Sequence, residues 1–213
     1  MKNSSFVKPN IMIIKRCMDL TFSIVCLIIT LPLLIVIAVL IKLTSKGDVL
    51  YVQQRVGKMN GDNIKIFNMI KFRTMVTDAE ASSGAVWATS NDNRLTAIGK
   101  ILRKVRLDEL PQFINVIKGD MSLIGPRPER PEIVIDLDKK IPFYSERTYE
   151  MTPGITGLAQ VYQGYDTCLD DVKTKIGYDF AYSLSLTNVH TWLLMDLKII
   201  FKTIAIMILG RGQ

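Results

Sequence analysis

Several familiar devices are missing from this chain of 213 residues, and each absence removes a class of chemistry. There is one histidine, His190, so neither an HExxH zinc site nor a histidine-based triad is available. The three cysteines (Cys17, Cys26 and Cys168) form no close-spaced pair, which argues against a disulfide framework and a thiolate metal site. No P-loop and no GxGxxG occur, so nucleotide phosphates would have to be held by another device. Aromatics make up only 8% and do not alternate with the basic residues, which excludes a stacking platform for nucleic acid. Internal repeats and low-complexity tracts are also missing. What is present is positive charge and apolar surface. The formal net charge is +7, hydrophobic residues make up 48%, and the mean hydropathy is positive. These values point to an anionic partner, either lipid headgroups or nucleotide phosphates.

Much of the apolar excess lies in one uncharged run of 22 residues, Leu20 to Ile41. As a single helix it would measure about 33 Å, enough to cross a hydrocarbon core of about 30 Å. Two features complicate a straight span. Pro32 sits mid-run, where it removes a backbone donor and disfavours helix at Leu31. Both flanks are basic as well: Lys2, Lys8, Lys15 and Arg16 precede the run, and Lys42, Lys46, Arg55 and Lys58 follow it. The positive-inside tendency assigns both flanks to the cytoplasm, which suits a helix-break-helix that enters and leaves by one face. Its two halves, Leu20–Leu31 and Pro32–Leu43, would each reach about 17 Å. The carbonyl freed by the proline needs a donor, for which the Thr30 hydroxyl is a candidate. A kinked span satisfies the same sequence, so the two forms stand side by side on these residues. Arg16 and Asp19 are three apart and are expected to pair where the chain enters the interface.

From Gly47 to Met75 the pattern is short and strand-like, with turns expected at Gly57, Asn60-Gly61 and Asp62-Asn63. Lys71 and Arg73 would share a face if extended. Val76 to Asn93 reads as a helix followed by a loop. Leu95, Ile98, Ile101, Leu102 and Val105 recur at helical spacing, with Lys100, Arg103 and Lys104 on the polar side. Asp108 falls at an expected N-cap, with Pro111 in the first turn of a helix that runs to about Lys118 and ends at Gly119. Gly125-Pro126-Arg127-Pro128 forms a stiff turn presenting Arg127, and Pro153 to Gly157 is a second turn-rich loop. Trp192 to Leu209, interrupted by Asp196, Lys198 and Lys202, is expected to be an amphipathic helix on the core or in the interface. Asp166, Asp170, Asp171 and Asp179 are read as structural.

Asp108 and Glu109 stand side by side just after Arg103, Lys104 and Arg106. A carboxylate held ionised by such neighbours can act as a nucleophile. With Lys71, Arg73 and Arg127, the arginines supply forks suited to phosphate oxygens. A magnesium ion bridging carboxylate and diphosphate would complete the charge balance. A basic face held against anionic lipid, as in a non-catalytic membrane adaptor, would use the same residues.

The ordered set of motifs resembles bacterial sugar transferases of the monotopic phosphoglycosyl transferase family, the polyprenyl-phosphate sugar-phosphate transferases. The matching stretches are Lys15-Arg16-Cys17-Met18-Asp19 with the apolar run, Gln54-Arg55-Val56-Gly57, Lys71 to Met75, Leu102-Arg103 through Gln112, Asn115, Gly119 to Ser122, Gly125 to Pro128, and Pro153 to Gln160. The segment from Gly57 to Phe67 is longer than is usual in the family. The chain begins close to its Lys-Arg motif, as the short members do.

The resemblance implies an α+β, mainly helical fold. A re-entrant membrane hairpin would occupy residues 1–43, and a small cytoplasmic catalytic domain with short strands and interfacial helices residues 44–213. It implies transfer of a sugar phosphate from a UDP-sugar to polyprenyl phosphate at the cytoplasmic face of the bacterial inner membrane, with release of UMP. Asp108 would be the nucleophile. Glu109 would assist by proton transfer or by helping to place the metal, with both carboxylates near magnesium. Lys71, Arg73, Arg103, Arg127 and Gln112 would bind substrate phosphate, and Lys15, Arg16, Asp19 and Pro32 would belong to the membrane anchor. Cytoplasmic-leaflet lipid is an expected partner, and the sequence leaves a homo-oligomer open.

Overall fold

A computed structural model describes residues 7–60, 63–79, 92–163 and 168–209. The chain is mainly helical with a few short strands. Helix α1 (Pro9–Thr44) starts with proline in its first turn, where the missing N–H is harmless, and it continues through Pro32. The interruption expected at Leu31–Pro32 is therefore not a break in the helix: one lost hydrogen bond in so long an apolar run leaves the neighbouring turns intact. The Thr30 hydroxyl donates to Cys26 O at 2.6 Å rather than to the Ile28 carbonyl that Pro32 frees. Among the described residues, α1 is the one helix long and apolar enough to cross a membrane. Its middle is bare, with Ile28 and Ile29 about 70% exposed (68% and 71%).

Both ends of α1 enter the cores of the globular body. Ile11 packs with Ile124, Tyr182, Leu186, Trp192 and Ile199, whereas Ile37 and Ile41 pack with Phe72 and Leu102. Strands β1 (Leu50–Asn60) and β2 (Asn63–Phe72) form an antiparallel hairpin in the register Leu50↔Phe72 and Arg55↔Phe67. Gly57 is not a turn, as the sequence pattern suggested. It lies inside β1 at an irregularity between Val56 and Met59, where a Cβ would come within 3.1 Å of Lys65 O. The segment from Gly57 to Phe67 belongs to the two arms of the hairpin; Gly61 and Asp62 lie outside the described residues.

Helix α2 (Ala97–Lys104) is capped by Thr96, whose hydroxyl accepts from Gly99 N. Of the helix and loop expected from Val76 to Asn93, residues 80–91 lie outside the described residues. Helix α3 (Gln112–Lys118) stops at Gly119, whose φ of +84° is the left-handed value such a stop needs. Asn115, fully buried, clips α3 to β2: its Oδ1 accepts from Ile70 N at 3.0 Å and its Nδ2 donates to Asn68 O at 2.7 Å. Strand β3 (Ser122–Ile124) runs parallel to β4 (Gly154–Thr156), with α4 (Pro131–Lys140) between them in sequence. Helices α5 (Leu158–Tyr162), α6 (Leu169–Ser185) and α7 (Val189–Ile208) complete the body. Helix α7, expected to be amphipathic, buries Trp192, Asp196 and Ile199 and exposes the apolar Leu194, Leu197, Phe201 and Ile204.

Candidate active site

Asp108 is not the N-cap of α3. It sits inside a one-turn 3-10 helix, Leu107–Glu109, set up by Arg106 in the left-handed region at φ 57°; Pro111 occupies the N-cap position of α3 without a side-chain cap. The difference matters chemically. An N-cap carboxylate would be tied to backbone amides, whereas Asp108 is buried with no hydrogen bond or ion pair among the described residues. Burial and the adjacent Glu109 push its carboxyl up to about 6, against the pull of Lys71, Arg103 and Arg127.

Those three cations come from three elements: β2 carries Lys71, α2 carries Arg103, and the turn after β3 carries Arg127. Burial, together with repulsion from Arg55, lowers Lys71 to about 8, partly offset by Asp108. Its ammonium lies over the Tyr51 ring at 5.6 Å and has no carboxylate partner among the described residues. Arg127 Nη1 meets Glu109 Oε1 at 3.3 Å, which orients the second carboxylate beside the first. Gln112 is buried at the start of α3.

Arg73 does not join them. Its guanidinium donates to the carbonyls of Asp48, Ser45 and Met75, so it ties the end of α1 to the strand. Arg73 lies one residue past the end of β2, where its amide still donates to Val49 O at 2.9 Å.

The anchor residues form a second cluster. Lys15 lies 3.8 Å from Asp19 and 3.5 Å from Asp196 of α7. Asp19 accepts from Ser122 Oγ at 2.7 Å and from Leu123 N at 3.2 Å. The expected Arg16–Asp19 pair is replaced by these contacts, because Arg16 turns to cap α3 through the Val116 and Ile117 carbonyls.

A third group had no counterpart in the sequence reading. Arg55, Glu129 and Lys175 form one buried ion cluster beneath the site, and Arg147 and Asp179 form another. Burial works against an ionised Glu129, yet Lys175, Arg147 and Arg55 hold it at about 2. The structural reading of Asp179 agrees with its 2.7 Å bond from Arg147, and Asp171 accepts from the Cys168 amide at the start of α6; Asp166 lies outside the described residues. Arg55 and Glu129 do lie in or beside the motifs at residues 54–57 and 125–128, which was the one signal available.

Comparison with known proteins fits this arrangement: residues 10–210 match the family model for bacterial sugar transferases. The chain belongs to that family. It is 47% identical over 199 residues to a UDP-N-acetylgalactosamine-undecaprenyl-phosphate N-acetylgalactosaminephosphotransferase of Aeromonas hydrophila, covering 93% of this chain and 44% of that protein. A UDP-glucose:undecaprenyl-phosphate glucose-1-phosphate transferase of Klebsiella pneumoniae is 43% identical, with 91% and 40% covered. This sugar transferase chain therefore spans less than half the length of those two relatives. It matches nearly the whole of a third, the exopolysaccharide production protein PSS of Rhizobium leguminosarum bv. phaseoli, at 37% identity with 95% and 98% covered.

Asp108 and Glu109 are a hard-oxygen donor set of the kind magnesium takes together with substrate phosphates and water. Among the described residues no group of three or more His, Cys, Asp or Glu side chains that could hold a metal ion occurs. A partial site of two carboxylates, completed by substrate, suits that ion.

Proposed function

We propose that this sugar transferase moves a sugar 1-phosphate from a UDP-sugar to polyprenyl phosphate, undecaprenyl phosphate in the relatives, and releases UMP. The reading rests on one observation above all: Asp108 is a buried carboxylate with no hydrogen bond or ion pair among the described residues, under the pull of Lys71, Arg103 and Arg127. In the first step an Asp108 oxygen attacks the phosphorus that bears the sugar, and the bond from that phosphorus to the UMP oxygen breaks. In the second, an oxygen of polyprenyl phosphate attacks the same phosphorus, the aspartyl-phosphate bond breaks, and Asp108 is restored. Splitting one transfer in two this way produces ping-pong kinetics.

Arg103 and Arg127 stabilise charge on the transferred group, and Lys71 stands beside the nucleophile. Glu109, paired to Arg127, would help to hold magnesium, which when bound would neutralise diphosphate charge. Trapping the enzyme with donor alone tests the reading: a phosphosugar adduct is expected on Asp108, and an adduct on any other residue would sink the assignment.

The helix α1 is proposed to enter and leave the cytoplasmic leaflet of the inner membrane by one face. Along a straight axis, Arg16 and Ile41 would stand about 37 Å apart, opposite ends of a bilayer core. Yet Arg16 holds α3, Asn115 of α3 holds β2, and Phe72 of β2 packs with Ile41. One small body thus grips both ends, which supports a bend near Pro32, and α7 would rest its exposed apolar side on the same leaflet. In a cysteine-free background, single cysteines at positions 8 and 46 should both label from the cytoplasmic side; labelling from opposite sides would establish a straight span.

A further inference from the structure

Four successive carbonyls of the segment that presents Arg127, from Pro126 to Glu129, each accept a hydrogen bond. Pro126 O accepts from Gly154 N at 2.9 Å, and Arg127 O from Arg147 Nη2 at 2.9 Å. Pro128 O accepts from Arg55 Nη1 at 3.1 Å, and Glu129 O from Val56 N at 2.8 Å. Two of these four donors are backbone amides of neighbouring strands. The two that flank the Arg127–Pro128 peptide are side chains, both guanidinium groups and both buried, with Arg147 2% and Arg55 8% exposed. The segment needs such help. Pro126 and Pro128 carry no N–H, so it can join no ladder on its own, and its shape must be set by donors from outside.

Each of these arginines is in turn oriented by its own partners. Arg147 Nε donates to Asp179 Oδ2 at 2.7 Å, and the guanidinium lies 5.4 Å from the centre of the Tyr144 ring. Arg55 Nη2 donates to Gln53 Oε1 at 2.6 Å, and Nη1 lies 3.8 Å from Glu129, whose other oxygen is 2.7 Å from Lys175. A planar fork can serve a carboxylate and a carbonyl at once in fixed geometry; a lysine ammonium at the same depth cannot match that spacing. At the far end of the same residue, Arg127 reaches Glu109.

We infer that Arg147 and Arg55 are positioning residues: they clasp the Arg127 and Pro128 carbonyls so that the Arg127 guanidinium is held against Glu109 and the transferred phosphate. Neither touches substrate. The inference rests on the transferase reading above, and it assigns a task to two buried charges which that chemistry does not otherwise use. Displacement of a phosphate clamp by about 1 Å is enough to slow turnover about a hundredfold without loss of fold.

The test is a double-mutant cycle read as single-turnover UMP release with enzyme in excess, so that slow variants remain measurable. Arg147→Lys, which keeps the charge beside Asp179, should lower the rate about 10- to 100-fold. In an Arg127→Ala background the same change should alter the rate less than about threefold, because the group it positions is gone. Arg55→Lys should repeat the pattern, which keeps the inference testable if Arg147→Lys does not fold. Equal losses in both backgrounds, or wild-type rates in the two lysine variants, would overturn it. A wild-type protein that releases no UMP from any UDP-sugar would instead defeat the transferase reading, and the inference with it.

Discussion

Two charged clusters in this protein are built from similar residues and differ in how completely they are satisfied. In the anchor cluster, Asp19 and Asp196 face one lysine, yet their oxygens also receive Ser122, Leu123, Tyr182 and Trp192 as donors. In the candidate-site cluster, Asp108 is as deeply buried as Asp19 but has no hydrogen bond among the described residues. A buried carboxylate with all its donors ties elements together, here α1 to β3 and α7. One surrounded by cations but left unbonded keeps its lone pairs for a ligand, and the fold carries the energetic cost.

The sharpest break of this contrast is Asp108→Asn. Loss of the nucleophile should lower UMP release by at least about 10⁴-fold. Stability should move the other way. The carboxyl's folded value of about 6 lies above its ordinary 3.8, so its ionised form opposes folding: the stability it contributes is present below about 3.8 and lost as pH rises through about 6. At neutral pH the amide should therefore gain as much as about 3 kcal/mol in denaturant unfolding. A variant that is inactive and also destabilised would show that Asp108 is structural after all.

The matching change in the anchor should do the opposite. Asp19→Ala removes the acceptor for Ser122 and Leu123 and leaves Lys15 with Asp196 alone. Destabilisation of about 3–5 kcal/mol is expected, measured by unfolding in detergent or nanodiscs. Activity per folded molecule should be retained within a few-fold. An Asp19→Ala protein as stable as wild type would erase the distinction between the clusters.

This contrast also explains how far the sequence could be read. Periodicity found α2 through Leu95, Ile98, Leu102 and their neighbours, and Gly119 marked the end of α3, because both signals are local. The vicinal carboxylates and the Pro-Arg-Pro turn stood out for the same reason. What was hidden depended on contacts made far along the chain. Arg147 finds Asp179 across 32 positions and Lys15 finds Asp196 across the whole body, so no spacing rule could pair them. The 3-10 turn at Asp108 depends on one residue, Arg106, in a conformation that side-chain pattern does not encode. Gly57 was misread because the sequence does not distinguish a glycine kept for a turn from one kept where a neighbouring strand comes close.

Ionisation sharpens the comparison further. The candidate-site cluster should titrate in the working range because burial opposes the ionised forms of Asp108 and Lys71. Turnover needs Asp108 ionised, so kcat/KM should climb about tenfold per pH unit up to about 6. It should decline above about 8 as Lys71 loses its proton. Lys71→Arg should abolish the upper limb and leave the lower one in place. A profile flat from pH 5 to 7 would mean that another group is the nucleophile.

The smallest effect is expected at Arg73, where sequence and structure disagree most directly. As a phosphate ligand it should behave like Arg103, whose loss would lower kcat/KM about a hundredfold or more. As a tie between β2 and the end of α1 it should behave like a structural group. Arg73→Lys keeps a donor for the Ser45 and Asp48 carbonyls, so KM for the UDP-sugar should change less than about threefold, with thermal stability lowered by about 1 kcal/mol. Because Arg73 and Lys71 are two residues apart, side-by-side kinetics of the two lysine and arginine exchanges would settle which member of the pair faces substrate. A large KM effect at Arg73 would return it to the site and require a rearrangement of the β2–α1 junction on substrate binding.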